Sequence, residues 1–154
     1  MTEPLLDRIG LEIIPTDECR ALLAATPIGR IAFLDRGDPT ILPITIDLWE
    51  GHVVFTTAEG SKLSAAIMQQ PVAVEIDGWD ATTHTGWSVL VKGMAMIVDD
   101  GREIDSLDRL SVKSWNKPET PKSWVRILAN EITGRRVLPL EQQHEIAARE
   151  REQD

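Results

Sequence analysis

The sequence predicts a small barrel of mostly antiparallel strands with a few short helices, an architecture of the α+β or all-β kind. Three observations carry that expectation. From Gly29 onward the chain is a succession of apolar or alternating runs, "GRIAFL", "TILPITIDLW", "HVVFTT", "VAVEI" and "WSVLVKGMAMIV", rich in the β-branched residues that suit a pleated, half-buried surface. The segments "DRGDP" and "WEGH" between the first three runs are short and carry turn chemistry, which joins neighbouring strands as hairpins. At 154 residues the chain is long enough for one core and short for two.

Taken in order, "PTDECRALLAATP" sets Cys19, Leu22 and Leu23 at helical spacing behind a Thr16/Asp17 cap candidate. That predicts a short helix ending before Thr26-Pro27. The first three strand runs then form an antiparallel meander. Pro43, in the second of them, cannot donate to a ladder. Its strand therefore bulges, lies at an edge, or leaves room for something other than a strand. "SKLSAAIMQQ" reads as a helix with Leu63, Ala66 and Ile67 inward, and "REIDSLDRLSVKSWN" as another with Ile104, Leu107 and Leu110 inward. "SWVRIL" and "EITGRRVLPL" read as two last strands joined by a tight turn around Ala129-Asn130. The tail, residues 141–154, is charged and nearly without large apolar residues, so it is a solvated or frayed helix appended to a domain of residues 1–140.

Composition excludes several functions. Lys and Arg number 16 against 25 Asp and Glu, a formal net charge of -9. Such a field repels polyanions and argues against a nucleic-acid partner. Cys19 is the only cysteine, so there is no intramolecular disulfide, and nothing resembles a metal-ligand cluster; a reducing cytoplasm is expected. The N-terminus lacks a signal-peptide pattern, and no stretch reaches the roughly 18 to 20 apolar residues needed to span a bilayer, so no membrane association is expected.

Nucleophile and nucleotide motifs are absent: there is no G-x-S-x-G, P-loop or G-x-G-x-x-G. His52 falls in a hairpin turn and His144 in the tail, while His84 precedes a strand of interest. Of the adjacent Arg135 and Arg136, one faces outward on a strand. The five tryptophans suit core or dimer contacts. The stretch "TTAEGSKLSAA" is more informative. A phosphate beside Ser61 would meet free backbone N–H groups, the positive end of a helix dipole and a hydroxyl donor together. Lys62 adds a full charge, and Thr56 and Thr57 add hydroxyls. The same residues also suit a surface turn with a solvated lysine.

The order of segments favours the phosphate. "GRIAFLDRGDPTILPITI", "VVFTTAEGSKLSAA", "QQPVAVEIDG", "TGWSVLVKGMA" and the late "EITGRRV" together resemble the flavin-binding split-barrel family related to pyridoxamine 5'-phosphate oxidase. The resemblance implies an FMN-binding split β-barrel that works as a homodimer, with FMN between the subunits. Leu42, Pro43, Ile44, Thr45 and Ile46 match the strand whose backbone runs along the flavin ring. Thr56 and Thr57 match the end of the next strand, beside the ribityl chain and phosphate, and Ser61 and Lys62 match the pair that holds the phosphate. Leu63 stands where the oxidases carry a second basic residue. Ser88 matches a position that reaches the cofactor, and Trp87 or Trp79 covers a ring face from the partner subunit. No arginine-x-histidine arrangement occurs around "NEITGRRVLPL", so vitamin B6 oxidation is not supported.

The implied activity is that of an oxidoreductase moving hydride or electrons between a nicotinamide-type or deazaflavin donor and a small unsaturated or electron-poor acceptor. Three other occupations belong to the same resemblance. The deazaflavin F420 carries a polyglutamate tail that favours a basic groove, against the net charge. Haem would take His84 as its axial ligand. A flavin carrier or sensor would keep the fold without turnover.

Overall fold

The computed structural model describes residues 3–110, 112, 115 and 117–154. In chain order its elements are β1 (Glu12–Ile13), α1 (Thr16–Ala25), β2 (Ile28–Asp35), β3 (Asp38–Thr45), β4 (Asp47–Trp49), β5 (His52–Ala58), α2 (Lys62–Ile67), β6 (Pro71–Asp80), β7 (Thr85–Ile97), α3 (Gly101–Leu107), β8 (Lys122–Ile127), β9 (Glu131–Arg136) and α4 (Leu140–Gln153). The strands run β3-β2-β6-β7-β8-β5-β4, with β9 joining β1 to β7. Every pairing is antiparallel. The result is a sheet curled into a half-barrel with short helices around it.

Alternation decides which residues fill it. Gly29, Ile31 and Phe33 of β2, Val72, Val74 and Ile76 of β6, and Val89 and Val91 of β7 point inward and are buried, as a period of two requires. They meet Ile44, Ile46, Val53, Phe55 and Ile67 in one apolar core. A second cluster, Val54, Val98, Leu107 and Trp124, lies on the opposite face of β5 and β8, where α3 covers it.

β7 is the hinge of the design. Along one edge it pairs with β6; along the other it pairs with β9 through Lys92 and with β8 from Ala95 onward. Gly93 sits where the partner changes, and a Cβ there would lie 1.5 Å from the Leu128 carbonyl oxygen. Only a residue without a side chain lets the two backbones cross so closely.

Both early hairpins close as expected, through Arg36-Gly37 and Glu50-Gly51, whose φ values of 51°, 85°, 50° and 79° give the left-handed turn that matches strand twist. Pro43 stands opposite Arg30 in an unbroken ladder, on a strand at the end of the sheet order. The edge alternative therefore holds, without a bulge.

Several boundaries differ from the sequence expectation. The run "TILPITIDLW" is two strands, because at Ile46 the backbone N–H turns to Pro27 O, 2.8 Å away. Helix α1 starts at Thr16 behind Pro15, with no side-chain cap at its start. Helix α2 stops at Ile67, where Gln69 takes φ 53° and its N–H bonds to Ala95 O at 3.0 Å. The last two strands form but do not pair with each other, so they are not a hairpin. Positions 111, 113, 114 and 116 of the helix expected after Arg102 lie outside the described residues; α3 itself ends at Leu107. The tail is helix α4, with no buried residue. Among the described residues no helix is long and apolar enough to cross a membrane.

Candidate functional site

The site expected from sequence lies where β3 and β5 part. β4 pairs with β5 from Asp47 opposite Val54 to Trp49 opposite His52, whereas β3, one residue upstream, pairs only with β2. β3 and β5 come within contact range of each other yet form no ladder. One edge of β3, carrying Leu42, Pro43, Ile44, Thr45 and Ile46 beside it, is thus left without a strand partner among the described residues. The backbone groups that point to that edge, the Thr45 N–H and C=O and the Pro43 C=O, are free to bind something else, whereas the Ile46 N–H is taken by Pro27 O.

The chain leaves the far end of β5 through the turn into α2. Ser61 is the N-cap: its Oγ accepts from Ser64 N at 3.1 Å and lies 2.9 Å from Thr57 Oγ1. Two hydroxyls carry two protons, and the bond between them uses one. Whichever of the two donates, one O–H remains to serve an outside acceptor. Lys62 follows, exposed and in no ion pair among the described residues. Leu63 packs against the core, so no second cation follows Lys62 here.

The two threonines do not act together. Alternation buries Thr57 on the Ser61 side and turns Thr56 to the opposite face of β5, level with Trp124. Thr56 Oγ1 is buried there without a hydrogen-bond partner. A buried hydroxyl with no partner is costly, and it lies on the face of β5 that carries Val54 and Trp124. The hydroxyl pair and Lys62, which forms no ion pair among the described residues, are donors suited to an anionic group.

Trp87 and Ser88 are not brought to this place. Both lie on β7, with β2 and β6 between them and β3. They line a separate open cleft of about 310 Å³ with Gly78, Trp79, Arg135 and Arg136. Here β6 and β7 carry reciprocal pairs: Gly78 faces Trp87 and Trp79 faces Gly86. A Cβ on Gly78 would come 2.5 Å from Trp87 Nε1, and one on Gly86 2.6 Å from Trp79 Cε3, so each indole lies across a glycine of the facing strand. Both arginines are engaged: Arg135 with Asp7 at 3.0 Å, and Arg136 with Glu12 at 3.1 Å and with Glu18. His84 is exposed in the turn at φ 53°, its ring edge-on to Trp79 at 6.3 Å.

Three side chains near the split or on the sheet escaped the sequence reading. Trp115 donates from Nε1 to Thr45 Oγ1 at 2.6 Å. Lys122 stands opposite Ala58 at the start of β8, but is held by Asp108 at 3.3 Å and over the Trp124 ring at 5.3 Å. On the outer sheet face Arg30 joins Glu75 at 3.5 Å and Asp77 at 3.4 Å. Burial first, then the neighbouring Asp77, pushes the Glu75 carboxyl above its ordinary range. Cys19 is buried, and that burial raises its thiol and leaves it unreactive.

The curled sheet, split between β3 and β5 with a hydroxyl-lined turn after β5, defines a split barrel of the flavin-binding kind. The pyridoxamine 5'-phosphate oxidase family matches residues 15–136, and the chain belongs to that family. An FAD-binding protein from Mycobacterium smegmatis is 35% identical and superimposes with a TM-score of 0.71, over 82% of this chain and 99% of that one. An uncharacterised protein of Mycobacterium tuberculosis is 34% identical over 99 residues, which make up 61% of this chain. That match spans 65% of the relative's own length. An FAD-binding protein from Mesorhizobium loti, at 24% identity and a TM-score of 0.68 over 83% of this chain and 99% of that one, shares the fold.

Proposed function

We propose that this chain is a flavin-dependent oxidoreductase whose flavin phosphate sits at the Ser61-Lys62 corner and whose flavin ring lies along the open edge of β3. The observation that carries the reading is the pairing of Thr57 with Ser61 at 2.9 Å beside Lys62, which forms no ion pair among the described residues. When bound, the flavin supplies the hydride and electron chemistry. The chain's own residues bind and orient. The hydroxyl pair donates one proton to an anionic oxygen, Lys62 neutralises its charge, and the free edge of β3 offers the Thr45 N–H and C=O and the Pro43 C=O to a ring edge, since alternate residues of the strand are bonded to β2. Leu42, 37% exposed, gives an apolar wall that keeps water from that edge.

FMN is the form favoured here, because the corner provides for one phosphate group. The Mycobacterium smegmatis relative is described as binding FAD, which contains the same mononucleotide unit, so FAD is the second reading. The electron donor is of nicotinamide type and the acceptor a small electron-poor or unsaturated molecule. No general base is needed for hydride transfer itself, in keeping with the exposed position of His84.

The working unit is a two-fold homodimer. Ile28, Leu34 and Ile41 are 54%, 55% and 65% exposed on the adjacent strands β2 and β3. An apolar area of that kind, beside an unpaired edge, suits an isologous partner. A second copy would also supply Trp87 and Ser88 to a site their own β3 lies too far away to reach.

The test is the visible spectrum and native mass of the purified protein with FMN, FAD and F420 offered separately, followed by anaerobic mixing with NADPH and NADH. A dimer carrying one mononucleotide-sized adduct per chain and bleaching within a catalytic cycle supports the reading. A flavin-free monomer would overturn it, and a yellow protein inert to both donors would make it a carrier instead.

A further inference from the structure

Trp115 is 63% exposed, which leaves a large apolar ring in water. Trp79 is comparably exposed, but its ring has local neighbours in Gly86 and His84. Trp115 forms no aromatic pair among the described residues. Instead its one polar atom is spent on Thr45, 70 positions earlier in the chain, through a hydrogen bond of 2.6 Å. An indole has a single N–H donor. Spending it on Thr45 Oγ1 pins the ring to the last residue of β3, where the strand edge has no partner.

We infer that Trp115 is a flavin-contacting residue, held by Thr45 so that its indole lies against the flat ring of the cofactor. The inference rests on the flavin reading above and adds a residue to that site. Three observations converge on it: an exposed aromatic, a long-range anchor for that aromatic, and an anchor point on the strand proposed to carry the ring. The chemistry is complementary as well. An indole is a flat, electron-rich surface and the flavin ring a flat, electron-poor one, and such rings favour offset stacking. Thr45 is the positioning residue: it accepts from the indole and so limits rotation of the ring plane.

Contact of this kind has an optical signature. A photoexcited flavin takes one electron from a touching indole and returns it, so its emission is quenched and nothing is consumed. The experiment is a titration of wild type, Trp115→Leu, Trp115→Phe and Thr45→Val with FMN, following flavin emission and affinity together. FMN is the probe because the adenine of FAD quenches its own flavin.

Wild-type protein should bind FMN with strongly quenched emission. Trp115→Leu should restore much of that emission and weaken binding about two- to tenfold, the range of one aromatic contact. Trp115→Phe keeps a ring that is harder to oxidise, so emission should rise with a smaller loss of affinity. Thr45→Val should give an intermediate emission, because the indole is present but unanchored. Thermal melting should be unchanged in the Trp115 variants, given the exposure of that ring. If wild type binds FMN while Trp115→Leu has the same emission and affinity, Trp115 makes no contact and the inference falls alone. If wild type takes up no flavin, the inference falls with the reading beneath it.

Discussion

Replacing Lys62 by Ala isolates the charge at the corner. Lys62 is the first residue of α2, is exposed and makes no ion pair among the described residues, so its removal breaks nothing that holds the fold. Alanine is also a better helix former. The change in stability should stay within about 0.5 kcal/mol. Affinity for FMN is another matter. A hydrogen bond to a charged group contributes about 1.5–3 kcal/mol, so losing the ammonium should raise Kd by about ten- to 150-fold. The Thr57-Ser61 hydroxyls and the N–H groups of the turn remain, so binding weakens and is not abolished. Isothermal titration at two ionic strengths is the assay. Salt screens an exposed charge, and so wild-type affinity should fall as salt rises, with a flatter dependence in Lys62→Ala. Lys62→Arg should retain most of the affinity. Equal Kd values and equal salt slopes for wild type and Lys62→Ala would refute the corner as an anion site.

Three further outcomes are expected. Gly93→Ala should fail to fold or lose more than about 3 kcal/mol in chemical denaturation, because a Cβ 1.5 Å from Leu128 O meets backbone that no rotamer change can move; a folded Gly93→Ala protein of near wild-type stability would show that β7 can cross β8 and β9 otherwise. Ile41→Lys, on the exposed side of β3, should convert the proposed dimer to a monomer in light scattering, and an unchanged mass would place the interface elsewhere. Asp108 is held below its ordinary value of 3.8 by the indole N–H of Trp124 and then by Lys122, so its folded form favours the charged state. Its contribution is present above the ordinary carboxylate value and is lost as pH falls through the lowered folded value. Asp108→Asn should therefore flatten the acid limb of the stability profile followed by tryptophan emission, with little change in shape at neutral pH.

Alternation made much of the barrel legible, because β2, β6 and β7 each bury every second residue over a long stretch. The turns were legible for an equally local reason: Gly37 and Gly51 are the residues that accept left-handed backbone without steric cost. What escaped depends on distant partners. β1 is two residues long and exists because β9 passes beside it. The break at Ile46 follows from a hydrogen bond to Pro27, and the early end of α2 from one to Ala95. At the candidate site, Ser61 was recognisable as the residue before a helix, and its cap on Ser64 follows from that. The split roles of Thr56 and Thr57 were implicit in strand alternation, though a count of hydroxyls alone groups them. Trp115 gave no local signal, since its bond to Thr45 spans 70 positions.

The bare side of β3 has a cost in the cell as well as a use. The Ile41 and Thr45 amides and the carbonyls beside them, without a strand partner among the described residues, are a template on which an extended chain can build. Whatever occupies it in the working protein also acts as a guard. If the flavin proposed above is that occupant, synthesis under riboflavin starvation should fill inclusion bodies, with vitamin supply deciding how much of the polypeptide stays dispersed.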